Sequence, residues 1–222
     1  MQALEHRSER LELVATILLG AATVASAWCS YQSELWNSNQ LEKMGDASVA
    51  DNESLRATDV ANRNAIVDAA TFTTLLQLEA QGDQRGADFM RARARPKFRP
   101  ILDAWYARRR GRELPAGTPF EDPRYRAEVE GPAVAKRAEA LELLKEANIA
   151  NENSDRFMMR TVAFAMSLFF LGIAGQLRAA SARRLAVLMG ALVMVLALLS
   201  VVRLPLAARP SRIPKAGASG GE

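Results

Sequence analysis

Three stretches of the chain carry no charged residue at all: 13–29, 161–177 and 185–202. With 24% of all residues charged, an even spread would put about four charges in each. Each stretch is close to the roughly 20 apolar residues that cross a bilayer core as a helix. A buried helix of a water-soluble domain keeps a polar stripe, and these do not. The pattern predicts transmembrane helices at 13–30, 157–177 and 185–203, hence an all-α membrane protein.

The last two stretches are separated by a short polar segment, 178–184, which holds Arg178, Arg183 and Arg184. One continuous helix over 161–202 would be about 63 Å long, twice the thickness of the hydrocarbon core. It would hold three arginines near mid-bilayer, at about 2.5–3.5 kcal/mol each on insertion scales. A hairpin places all three among headgroups, so the pattern predicts a hairpin loop. Trp28, Tyr31 and Trp36 form an aromatic belt at the end of the first span. Arg7, Arg10 and the Ala25-Ser26-Ala27 sequence also imitate a secretory signal peptide. The apolar length fits either reading, and the span is expected to be retained. Cys29, the one cysteine, forms no internal disulfide.

Basic residues flanking the spans number five on the side of the N-terminus and the hairpin loop, and eight on the other. A bare count would place the middle region in the cytoplasm. The first helix usually dominates, however, and long loops translocate largely regardless of charge. The expectation is therefore an inner (cytoplasmic) membrane protein of a bacterium, with residues 31–156 extracytoplasmic.

No proline occurs before Pro96, so the first span is expected to continue outward as a long helix. Gly45-Asp46 would kink or break it and Gly82 would cap it. Leu55, Asn62, Ile66, Ala69, Phe72 and Leu76 offer a weak helical seam. Gly131-Pro132 is expected to open a second helix that runs into the second span. Between them, residues 83–131 read as a small helical cap on a long helical hairpin. No strand-like alternation appears, and the tail at 204–222 is expected to be disordered.

Residues 31–156 hold 19 basic and 21 acidic side chains. Within them, 91–112 ("RARARPKFRPILDAWYARRRGR") carries nine basic residues against Asp103 alone. Those nine are Arg91, Arg93, Arg95, Lys97, Arg99, Arg108, Arg109, Arg110 and Arg112. They suit an anionic surface or polymer: lipid headgroups, envelope polyanions, or RNA if the topology is reversed. The plainer reading is a solvated face, or a basic cap folded back on the acidic remainder. The net +4 and pI of 9.6 arise from the membrane flanks and tail, so nucleic acid is not an expected partner.

Asn37 and Asn151 fall at similar heights beyond their span ends. They could form an amide layer that sets register, as buried Asn does in coiled coils, or be ordinary surface polarity. His6, the one histidine, precedes the first span, which leaves no histidine for a triad or a metal cluster in the middle region. Phosphate-loop, G-x-S-x-G and H-E-x-x-H signatures are absent from the sequence. Neither catalysis nor a cofactor is expected.

The segments "SAWCSYQSELWN", "RPKFRPILDAW" and "PFEDPRY", with the terminal two-span hairpin, resemble an uncharacterised family of bacterial three-span membrane proteins, a domain of unknown function. The likeness of layout covers about residues 5–203. Its motif core is Phe98, Asp103 and Trp105, with Phe120 and Tyr125 after them. The resemblance implies an uncleaved first helix and an all-helical exposed region, and it brings no catalytic or binding residues. The expected function is a membrane-anchored interaction or scaffold module of the envelope, with a sensory role open to it. Its partners would be the lipid bilayer and a second copy or another membrane protein. Two alternatives are polyanion or headgroup binding through 91–112, and an oligomeric transporter or accessory subunit.

Overall fold

The computed structural model describes residues 2–109 and 114–207, with side chains from residue 12 onward. All regular structure among them is helical. Helix α1 spans Gln2–Ala80, α2 Gln84–Arg93, α3 Arg99–Tyr106, α4 Pro123–Ala174 and α5 Ala180–Val201, with a 3-10 turn at Pro119–Glu121. Helices α1, α4 and α5 are long and apolar enough to cross a membrane. Their large apolar side chains point outward: Ile17, Phe169, Leu188 and Leu199 are all exposed. Such surface is costly in water and at ease in lipid.

The chain divides into two compact units, residues 1–44 with 144–222, and residues 45–143. In the first, α1, α4 and α5 pack around Ala22, Cys29, Phe157, Phe164, Met194 and Ala197. A second cluster joins Leu171, Ala174, Ala186 and Val187. Helices α4 and α5 touch closely at Gly190, where an added Cβ would lie 2.8 Å from Leu171 Cγ and 3.2 Å from the Ser167 carbonyl. The buried Ser167 hydroxyl donates to the Gly190 carbonyl over 2.8 Å. The turn between the two helices is shorter than expected. It occupies 175–179, and Arg183 and Arg184 sit in the first turns of α5. Helix α4 ends just before Gly175, whereas arginine is a good helix former and is taken into α5. Beyond α5, the indole N–H of Trp36 donates to the Pro205 carbonyl over 3.1 Å, and the Ala207 N–H donates to Gln32 over 3.0 Å. This fixes residues 204–207, the start of the expected disordered tail; residues 208–222 lie outside the described residues.

In the second unit, α1 buries Ala47, Ala50, Ser54, Ala61, Asp68, Phe72 and Leu75, at steps of three, four and seven. That is a regular helical seam built from small residues. It corrects the expected one: Leu55 and Ile66 are exposed, and Phe72 alone of that set is buried. Small side chains let two backbones approach, so alanine and serine take the inside and the bulkier aliphatics face out. Helix α4 runs antiparallel to this seam. Ser54 donates to the Ala133 carbonyl over 3.0 Å, Glu53 pairs with Lys136 at 2.8 Å, and Asp51 pairs with Arg137.

Two helix boundaries differ from expectation. Helix α1 passes Gly45 without a break, because one glycine costs only about 1 kcal/mol against a helix supported on both sides. Helix α4 starts at Pro123, leaving Pro132 inside it. Pro123 supplies the preset first position, and the interior proline forgoes a single backbone bond. Gly82 does end α1 as expected, with φ of 75°. Its N–H reaches the Glu79 carbonyl and that of Asp83 the Leu78 carbonyl, over 3.1 and 3.0 Å, the paired bonds of a Schellman stop.

Helices α2 and α3 and the 3-10 turn fall within 83–131. They close over a core of Phe72, Leu75, Phe98, Leu102, Trp105 and Tyr125. Phe98 and Phe120 stack at 5.6 Å between centroids, and Trp105 meets Phe72 edge-on at 5.1 Å.

Candidate functional site

The basic segment begins in α2, whose start is capped by the Asp83 carboxylate accepting from the Gly86 N–H at 2.9 Å. The helix carries Arg91 and Arg93 in its last turn. Arg91 donates through Nε to Asp103 at 2.6 Å, while its guanidinium lies 4.9 Å from the Tyr106 ring centroid. Arg93 rests on Phe89 at 3.9 Å.

Arg95 follows the end of α2 and is the best-partnered cation of the segment. It donates to Asp68 of α1 over 2.7 Å and to Glu128 of α4 over 2.8 Å. Asp68 is 0% exposed. Hydrogen bonds donated to Glu128 and then to Asp68 push the Arg95 pKa up, and the same bonds hold the Glu128 carboxyl below its ordinary value. A planar fork spanning two carboxylates on separate helices ties those helices together.

The remaining cations divide between paired and open. Arg109 meets Glu79 at 3.0 Å. Arg99 reaches Asp103 only at 4.0 Å and is 52% exposed; Lys97 reaches Glu128 at 3.7 Å and is 73% exposed. Arg108 adds a small influence at Asp122, whose carboxyl is held at about 2, chiefly by hydrogen bonds from Arg124. Arg110 and Arg112 lie outside the described residues. Arg91, Arg95 and Arg109 are thus folded back onto acids of α3, α1 and α4, while Lys97 and Arg99 stay largely open to solvent.

The motif residues are packing residues. Phe98, Trp105 and Tyr125 are buried and Phe120 half-buried, while Asp103 serves Arg91. The amide layer is not made: Asn37 and Asn151 are half-buried, and Asn151 reaches Asp155 on its own helix. Serine takes that place. Ser33 donates to the Ser154 carbonyl over 3.0 Å, and Ser154 returns a bond to the Ser33 carbonyl over 2.9 Å.

Compared with models of protein families, with curated proteins and with solved structures, the chain matches none. Its site must be read from its own geometry.

A cavity of about 290 Å³ opens in the second unit, beside the basic segment. Glu79, Asp88, Arg91, Asp103, Tyr106 and Arg109 supply its charged and aromatic lining. Burial, then the charge of Glu79, raises the Tyr106 pKa. A second cavity, of about 370 Å³, lies in the first unit beside the Glu12–Arg183 pair, which is 3.0 Å apart. Among the described residues, no group of three histidine, cysteine or acidic side chains could hold a metal. Asp68, Glu79, Glu128 and Tyr106 were not expected from the sequence. The small-residue seam, extended by sevens from Ser54 through Ala61, points straight at Asp68.

Proposed function

We propose that this chain is a membrane-anchored helical interaction or scaffold module of the bacterial envelope, open to a sensory role and performing no catalysis. Its partners are the bilayer and a second copy or another membrane protein. The observation that carries this reading is the outer face of α1 in the second unit. Leu55 and Ile66 are exposed on one line of that helix and Val49 and Val60 on another, well beyond the charge-free segment at 13–29. Exposed apolar side chains on a charged helical unit suit a protein partner better than solvent. The basic segment supports the same reading, because Arg91, Arg95 and Arg109 are engaged within the unit.

Replacing Leu55 and Ile66 together with glutamine tests it. Helix content by circular dichroism should stay unchanged while cross-linking into larger species in native membranes falls. Unchanged cross-linking would overturn the interaction reading. The compartment is tested separately with Ala116→Cys in a Cys29→Ser background. Ala116 is exposed and Cys29 is buried. Labelling by an impermeant thiol reagent in intact cells agrees with an extracytoplasmic 31–156; labelling only after lysis reverses it.

A second reading, binding of polyanions or lipid headgroups, is favoured by the exposure of Lys97 and Arg99. It expects binding to anionic vesicles that weakens with salt and is lost on replacing both residues with glutamine.

A further inference from the structure

The cavity of the first unit, about 370 Å³ in volume, joins a charged end to an apolar wall. Glu12 of α1 and Arg183 of α5 stand at its charged end, paired at 3.0 Å. Leu19, Leu171 and Val187 supply most of the wall. Thr16 also lines it, with its hydroxyl already donated to the Glu12 carbonyl over 2.9 Å. Small residues leave the space open: an added Cβ at Gly172 would meet nothing within 4 Å. Leu19, Gly172 and Gly175 are exposed, so the cavity opens to the outside of the unit between α1 and α4.

Its depth follows from helix rise. Leu19 lies seven residues along α1 from Glu12, about 10 Å, and Val187 four residues along α5 from Arg183, about 6 Å. Both runs lead away from the ion pair into charge-free stretches. In a bilayer the pair stands at headgroup level and the wall in hydrocarbon, so the occupant is polar at one end and apolar at the other. The polar end carries a positive excess. Residues 1–12 and 175–184 hold five basic side chains against three acidic ones. Glu12 answers Arg183. Arg178 and Arg184, each within three residues of a lining residue, are exposed and have no ion pair among the described residues. Guanidinium groups beside an apolar slot suit a phosphate that carries acyl chains.

We infer that this cavity seats an anionic phospholipid of the adjoining leaflet. Part of one acyl chain lies along Leu19, Leu171 and Val187, and the phosphate meets Arg178 and Arg184. The volume falls within the roughly 300–1,000 Å³ of ligand sites and takes the upper part of one chain, the rest staying in the bilayer. The inference rests on the membrane reading proposed above. It is separate from the basic segment at 91–112, which belongs to the second unit.

The test uses the full chain, purified in a nonionic detergent and stripped of native lipid. Phosphatidylglycerol and phosphatidylcholine with the same short acyl chains are titrated separately, and bound lipid is counted by native mass spectrometry. Phosphatidylglycerol should bind saturably, and phosphatidylcholine at least about tenfold more weakly. Gly172→Phe, which fills the cavity, should weaken phosphatidylglycerol binding by about tenfold or more. Arg178→Gln with Arg184→Gln, at exposed positions, should bring the two lipids to within about twofold of each other. Both variants should keep the parent's helix content and stay in the membrane pellet after an alkaline carbonate wash. The inference is overturned if phosphatidylglycerol does not saturate or phosphatidylcholine binds as well. It is equally overturned if Gly172→Phe keeps the parent's affinity or the arginine variant keeps its preference, the marks of annular lipid only. Any of these with the chain still in the pellet leaves the membrane reading standing. Release of the parent chain by the wash overturns that reading and this site with it.

Discussion

Arg95 shows how one side chain can govern a local fold. Asp68 is fully buried and its charge is answered by Arg95. Arg95→Met would leave that carboxylate uncompensated, at about 3–5 kcal/mol of stability. Denaturant unfolding of the full chain should show the loss, and the double variant with Asp68→Asn should recover much of it. A change below about 1 kcal/mol in the single variant would refute the role. The same cluster sets pH limits. The Glu128 carboxyl sits below its ordinary 4.5 because Arg95 donates to it, so the folded state holds that proton less tightly than the unfolded chain. Its contribution is complete above about pH 4.5 and is lost as pH falls through the lower folded value. Tyr125 works in the opposite sense. Burial and then the Asp68 charge push its hydroxyl up to about 12 from 10.0. Its contribution is present below about pH 10 and is lost as pH climbs to about 12. Melting midpoints against pH should fall at both ends, and Tyr125→Phe should flatten the alkaline side alone.

At the scale of elements, glycines separate tolerant helix from tight contact. Nothing lies within 4 Å of a Cβ added at Gly45, and α1 continues through it. Gly45→Ala should stabilise the chain by about 0.5–1 kcal/mol. At Gly190 the same addition meets Leu171 and the Ser167 carbonyl, so Gly190→Val should destabilise by about 1–3 kcal/mol. Equal effects at the two positions would contradict the packing. Much of this layer was legible in the residues. Absence of charge marked the apolar helices, lack of proline carried α1 to Ala80, and Gly82 marked its end. What stayed hidden has a physical cause. A seam of alanine and serine has almost no hydrophobic contrast, so pattern reading turned to Leu55 and Ile66, the residues that face outward. Three prolines begin helical segments, Pro100, Pro119 and Pro123; Pro132 resembles a fourth start but lies within α4. The acids that answer Arg95 come from residues 27 positions before it and 33 after, separations that no local motif reports.

Over the whole molecule, the longest charge-free apolar surface lies in the first unit. The long helices turn large aliphatic side chains outward in one unit, and in the other Arg91, Arg95 and Arg109 are spent on acids of the same unit. An alkaline carbonate wash should therefore leave the full chain in the membrane pellet; release into the supernatant would refute lipid insertion.

Two contacts of the first unit act as a parity check on that threading. Glu12 precedes the first apolar segment and pairs with Arg183 at the head of the third. Trp36 follows the first and bonds to Pro205 after the third. In a bilayer each pair would have to share one leaflet, and three passages would satisfy both at once. Excising the middle passage would strand each pair on opposite leaflets. An epitope inserted at 175–179 must then report the compartment of Glu12, while one placed after residue 207 must report that of Trp36.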